Sequence, residues 1–165
     1  MDEGRLPPLA SGQDLIGMFD VLEHIDDDVG TLEHLASLLV PGGIVALTVP
    51  AHPSLFDEMD RLACHRRRYQ AAGLRGALEA AGFRIRLLSH FMLPLLPLLI
   101  ASRMAGRWLT RWRTPLQHRS VELRPIPVLN VLLGLLLRFE GPALGRVALP
   151  MGSSLIAIAE RRSDA

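Results

Sequence analysis

The sequence contains no lysine; all 18 of its basic side chains are arginine. A GC-rich coding sequence produces such a bias, and no chemistry is read from it. Cysteine occurs once, as Cys64, which excludes a disulfide framework and fits a reducing compartment. The opening MDEGRLPPLASGQD lacks the basic n-region and apolar h-region of a secretory signal. No apolar run reaches the roughly 20 residues that a helix needs to span a bilayer. The two longest, FMLPLLPLLIA and IPVLNVLLGLLL, stop at about a dozen. The six histidines include no H-x-x-x-H or other local ligand spacing, so no metal site is expected. Repeats and low-complexity tracts are also missing. What is present is a chain of 165 residues, 49% apolar, which is enough for one domain with a real core and excludes a disordered class.

The net charge of +1 hides a strong asymmetry. Residues 1–60 carry twelve acidic side chains against Arg5, and residues 61–165 carry seventeen arginines against five acids. Either two oppositely charged surfaces attract across the fold, or the acidic half faces a cationic ligand and the basic half an anionic substrate or surface. The balancing acidic half and the lack of a known motif leave no expectation of nucleic-acid binding.

DLIGMF (14–19) has no helical period and reads as a strand buried on both faces. Asp26, Asp27 and Asp28 offer N-cap oxygens and negative charge to a following helix, in which Val29, Leu32, Ala36 and Leu39 recur at helical spacing. PGG (41–43) is expected to stop that helix. IVALTVP (44–50) reads as a second strand. A second amphipathic helix carries Leu74, Ala77, Leu78 and Ala81 on one face, with Gly82 as its stop. RIRLLSH and SSLIAIAERR read as a third and a fourth strand. Alternating strands and helices with short connections predict an α/β fold with a parallel sheet. Residues 91–150 break the pattern as an apolar helical insertion or cap. Within it Arg103, Arg107 and Arg111 repeat every four residues beside Trp108 and Trp112.

In open α/β sheets ligands sit beyond the carboxyl ends of the strands. Asp20, Glu23 and His24 follow the first strand at that place. Taken in order, FDVLEHIDDD, LLVPGGIVALTVPAH, DRLACHRRRY and LEAAGFRIRLL resemble the class I S-adenosylmethionine-dependent methyltransferases, nearest to the type 11 and type 12 branches. LPMGSSLIAIAERR resembles that family's last strand. The resemblance implies a partial Rossmann-like sheet, mostly parallel, whose last strand runs antiparallel between its neighbours. DLIGMF would be the family's fourth strand, and the surviving order would be 4-5-7-6. It also implies S-adenosylmethionine as cofactor. Phe19 and Asp20 would line its methionine end, Asp2 and Glu3 would meet the adenine, and Glu23 would face the reacting centre with His24.

The family's glycine-rich loop and its ribose-binding acid lie upstream of every matching motif. The chain therefore reads as one domain, 1–165, truncated at its N-terminus, which alone should bind cofactor weakly or not at all. Methyl transfer from a sulfonium needs alignment and exclusion of water; a hydroxyl acceptor adds the need for a base, for which His24, His52 and His65 are the candidates. Arg67, Arg68 and Tyr69 of HRRRY would orient an acidic or phosphate-bearing acceptor. Alternatively, Arg67 and Arg68 bind Asp57 and Asp60 and fix their own loop. Cys64 beside His65 lacks the third group that a thiol nucleophile needs.

The acceptor is expected to be a small or lipid-like molecule, because tryptophan and arginine beside apolar helices suit a bilayer interface. A cytoplasmic location follows, or one at the inner face of a membrane. Two other readings stand beside methyl transfer: a non-catalytic chain that completes or regulates a separate methyltransferase, and a peripheral membrane-binding module. The strand at 14–19 would leave an apolar edge exposed, so the chain should self-associate or pair with a complementing N-terminal chain.

Overall fold

Among the described residues four strands form one sheet, in which the first strand in sequence is followed across the sheet by the second, the fourth and the third. A computed structural model describes residues 12–110, 148–163 and a few positions between 134 and 142. Its strands are β1 (Gln13–Phe19), β2 (Leu39–Pro50), β3 (Phe83–Phe91) and β4 (Ser154–Arg161). Its helices are α1 (Asp28–Leu38), α2 (Glu58–Leu62), α3 (Ala71–Ala80) and α4 (Leu96–Thr110). β1 and β2 pair in parallel, and β4 runs antiparallel to both β2 and β3. The order and the sense of the last strand are those that the resemblance implies.

Alternation along the strands decides which face is buried. Val45, Leu47 and Val49 of β2 and Leu155, Ala157 and Ala159 of β4 are fully buried. They form one core with Leu32, Leu35 and Leu38 of α1 and Leu74 and Leu78 of α3. The intervening Ile44, Ala46, Ile156 and Ile158 are only half-buried, so the sheet is packed on one face and thinly covered on the other. α1 begins at Asp27, whose side chain accepts from the Gly30 N–H at 2.9 Å. α3 ends where Gly82 takes a φ of 83°, as its sequence predicts.

Two expectations are corrected. PGG does not stop α1: the helix ends at Leu38, and Pro41, Gly42 and Gly43 lie inside β2. There they bulge outward, because Gln13 pairs with Leu39 and Leu15 already with Ile44. Gly42 takes a φ of 81°, and a Cβ on Gly43 would lie 2.9 Å from the Val40 carbonyl. Nor is β1 buried on both faces. Among the described residues it pairs with β2 alone, and Leu15 and Phe19 are 63% and 61% exposed while Ile16 and Met18 pack on the core. An apolar run without alternation looks the same whether its second face is covered or bare.

Candidate functional site

β1, β2 and β3 all point the same way, and each is followed within two residues by a non-glycine residue with left-handed backbone: Asp20 (φ 52°), His52 (φ 62°) and Met92 (φ 58°). A fourth, Cys64 (φ 60°), lies in the loop before α3. Such residues are uncommon, and they turn the chain sharply at the carboxyl end of the sheet. The Asp20 N–H donates to the Thr48 carbonyl (3.0 Å), and the Thr48 hydroxyl donates to the Asp20 carboxylate (3.1 Å). An exposed anion is thereby fixed beyond the ends of two parallel strands, next to the exposed Phe19 ring.

Residues Leu22–His24 form a single 3-10 turn directly after this corner. The turn is pinned to the loop before α3 by the Arg66 N–H, which donates to the Glu23 carbonyl at 2.7 Å. Glu23, His24 and His65 therefore meet across 41 residues of sequence. Their rings and carboxylate place one donor atom each within 4.8 Å of one another. The His24 and His65 rings meet edge to face at 4.8 Å, and His65 Nε2 lies 3.9 Å from Glu23 Oε1. Glu23 is fully buried, and among the described residues neither carboxylate oxygen has a hydrogen-bond partner. Burial, and secondarily the charge of Asp20, pushes its carboxyl above the ordinary range.

Both rings are oriented through Nδ1. His24 Nδ1 lies 3.2 Å from the Cys64 carbonyl, and His65 Nδ1 lies 3.2 Å from Asp60 Oδ1. A carbonyl or an ionised carboxylate can only accept, so each Nδ1 carries a hydrogen and each neutral ring keeps its lone pair on Nε2. Asp60 is ionised because of its own partners. Burial alone would raise its carboxyl; Arg68 at 2.7 Å, the Asp57 N–H and His65 outweigh that and hold it below the ordinary range. Arg103 of α4 adds contacts to Asp57 and, at 3.4 Å, to Asp60.

The structure thus brings His24, His65, Glu23 and Asp20 to one end of the sheet. His52 belongs to a different group: its Nε2 lies 2.9 Å from the Gly152 carbonyl, and its ring stacks on His90 at 5.5 Å. Burial lowers the His90 imidazole. Arg68 binds Asp60 as the sequence suggests. Arg67 instead reaches the Asp28 carboxylate (3.0 Å) and the Asp26 carbonyl, and Tyr69 donates to Asp28 at 3.0 Å. Burial and that bond hold the Tyr69 phenol protonated. Arg103, read in the sequence as one of a four-residue repeat of arginines suited to a bilayer interface, is buried against Asp57 and Asp60. Asp2, Glu3, Arg111 and Trp112 lie outside the described residues, as do the side chains of Arg107 and Trp108. Sequence reasoning missed Thr48 and Arg103. Arg103 sits on an apolar helix 43 residues beyond Asp60, where only the general scarcity of buried arginine could hint at a partner.

Comparison with known proteins gives this geometry a family. The structure resembles a protein assigned as a methyltransferase in complex with the Haloferax volcanii Trm112 methyltransferase activator. The TM-score is 0.53 at 14% identity, over 94% of this chain and 57% of that one. A protein assigned as a methyltransferase from Bacillus halodurans gives a TM-score of 0.53 at 11% identity, over 95% and 68%. One assigned as a sarcosine dimethylglycine methyltransferase from Galdieria sulphuraria gives 0.50 at 16%, over 94% and 56%. These likenesses speak to the fold, and the chain spans little more than half the length of the first and third. No match was found among curated proteins. The family model described as a methyltransferase domain matches residues 5–88, from before β1 into β3, and the chain belongs to that methyltransferase family.

Proposed function

We propose that this chain carries the acceptor-facing half of an S-adenosylmethionine-dependent methyltransferase site, at the carboxyl ends of β1 and β2. The observation that carries the reading is the meeting of Glu23, His24 and His65 there, in a chain of the methyltransferase family. The residues present suit the methionine end of the cofactor: the exposed Asp20 carboxylate, fixed by Thr48, would hold an ammonium group, and the Phe19 ring would flank it. When bound, the cofactor supplies an electrophilic methyl group. This chain's part is to align the acceptor and receive its proton. Two lone pairs, one on each Nε2, are available for that, and Asp60 holds the His65 tautomer that leaves Nε2 free. Arg67 and Arg68 are engaged by Asp28 and Asp60, so their part in this reading is to fix the loop that carries His65.

The exposed Leu93, Leu98, Ile100 and Met104 on and before α4 support an apolar or lipid-like acceptor. Among the described residues no helix is long and apolar enough to cross a membrane. Among the described residues β1 pairs with no strand but β2, which supports the second reading, in which another chain completes the site.

Backbone NMR of the chain titrated with S-adenosylhomocysteine tests the proposal, because it registers weak binding. Shifts confined to residues 19–24, Thr48 and their neighbours are expected at millimolar ligand. A saturating titration that leaves those amides unmoved would overturn it.

A further inference from the structure

At the Glu23–His65 contact, acceptors face each other. His65 Nε2 carries a lone pair because Asp60 takes the Nδ1 hydrogen, and 3.9 Å away stand the Glu23 oxygens, buried and without a donor. The exposed His24 brings a second imidazole, its Nδ1 hydrogen taken by the Cys64 carbonyl. Three electron-pair donors converge, and among the described residues no arginine reaches Glu23, although Arg66, Arg67 and Arg68 follow at once in sequence. Only a proton or a cation can reconcile them.

We propose that Glu23, His24 and His65 form a binding site for a first-row divalent transition-metal ion, held by two imidazole Nε2 atoms and one carboxylate. The donor set is chemically apt. Imidazole suits zinc, iron, cobalt and nickel, whereas magnesium and calcium take oxygen ligands. Each histidine gives its other ring hydrogen to a carboxylate or a carbonyl, the outer-sphere arrangement that fixes a metal-binding imidazole. Donors around a tetrahedral zinc with bonds of about 2 Å stand about 3.3 Å apart. Closing the present spread of up to 4.8 Å requires the exposed His24 ring to swing inward and the Glu23–His65 pair, now 3.9 Å apart, to draw together. Three protein ligands leave a position open to solvent, where an oxygen ligand can enter. Under the methyl-transfer reading, on which this last point alone rests, that ligand is the acceptor hydroxyl, and the ion lowers its pKa so that its proton leaves to solvent. With both Nε2 lone pairs on the ion, the imidazoles then act as ligands and not as the base.

The test is zinc titration of the tag-free, chelator-treated full chain by calorimetry, with cobalt absorbance as a second readout. One-to-one binding is expected. His24→Ala should weaken it by at least about 10-fold, and since His24 is exposed its loss leaves the core untouched. Glu23→Gln should weaken it similarly, whereas His34→Ala, an exposed histidine on α1, should leave it unchanged. Absence of zinc binding, binding indifferent to His24→Ala, equal loss in His34→Ala, or binding of magnesium in preference to zinc would each overturn the proposal. Zinc binding does not depend on cofactor binding, so failure here and failure of the methyl-transfer reading are told apart.

Discussion

Two buried carboxylates lie on either side of His65, and their surroundings are opposite. Asp60 accepts from Arg68, Arg103, His65 and a backbone N–H, whereas the equally buried Glu23 carboxylate has no donor among the described residues. The first is an anchor that ties α2, the HRRRY loop and α4 together. The second contributes nothing visible to the fold and carries the cost of a buried acceptor without donors. A site is recognised here by what it leaves unsatisfied more than by which residues it contains.

The largest effect should come from removing the satisfied member. Asp60→Ala leaves the buried Arg68 without a carboxylate and Arg103 with Asp57 alone, and should cost about 3–5 kcal/mol in denaturant unfolding. Arg103→Ala comes next, at about 1–3 kcal/mol, since Arg68 still holds Asp60. The sign should then reverse at the other carboxylate. Glu23→Gln in metal-free protein should stabilise by roughly 1 kcal/mol at neutral pH, because it removes a buried charge that nothing pairs. Loss of stability in that variant would mean that Glu23 has a partner in solution.

The pH dependence of the melting temperature sharpens the contrast. The lowered Asp60 carboxyl gives stability that is full above its unfolded value near pH 4 and is lost as pH falls through the folded value. The raised Glu23 carboxyl acts the other way, and stability falls as pH rises through its folded value. Asp60→Asn should therefore flatten the acid limb and Glu23→Gln the upper one. The smallest effect belongs to the exposed partners of a third carboxylate. Arg86 and Arg84 both grip Glu160 across the β3–β4 bulge and hold its carboxyl low, yet Arg86→Ala should leave the unfolding midpoint unchanged.

Much of the fold was legible in the sequence. The four strands and the helices α1 and α3 follow from short apolar runs and cap residues, whereas the antiparallel place of β4 was implied by the resemblance to the methyltransferases and not by the alternation, which predicts a parallel sheet. Burial of β1 was not legible, because an apolar run does not say whether a neighbour covers its second face. The bulge at PGG was hidden because proline and glycine mark a helix stop and a strand irregularity alike. At the site, Asp20, Glu23 and His24 were legible as a post-strand cluster. His65 was legible only as a residue type, since spacing rules for ligands search within one helix or loop. The partner that completes this cluster comes from a loop 41 residues on, brought there by the Arg66–Glu23 backbone bond.

The place of β4 has a consequence in time. Among the described residues the only strand that β3 pairs with is β4, and roughly 60 residues separate the two in the chain. At about 5–20 residues per second, a ribosome takes about 3–12 s to make that intervening stretch. Until then, among the described residues, β3 has α3 to pack on and β2 has β1 to pair with. Closure of the sheet is thus a single late event that joins both halves at once, and the newly made chain must survive as two open edges before it.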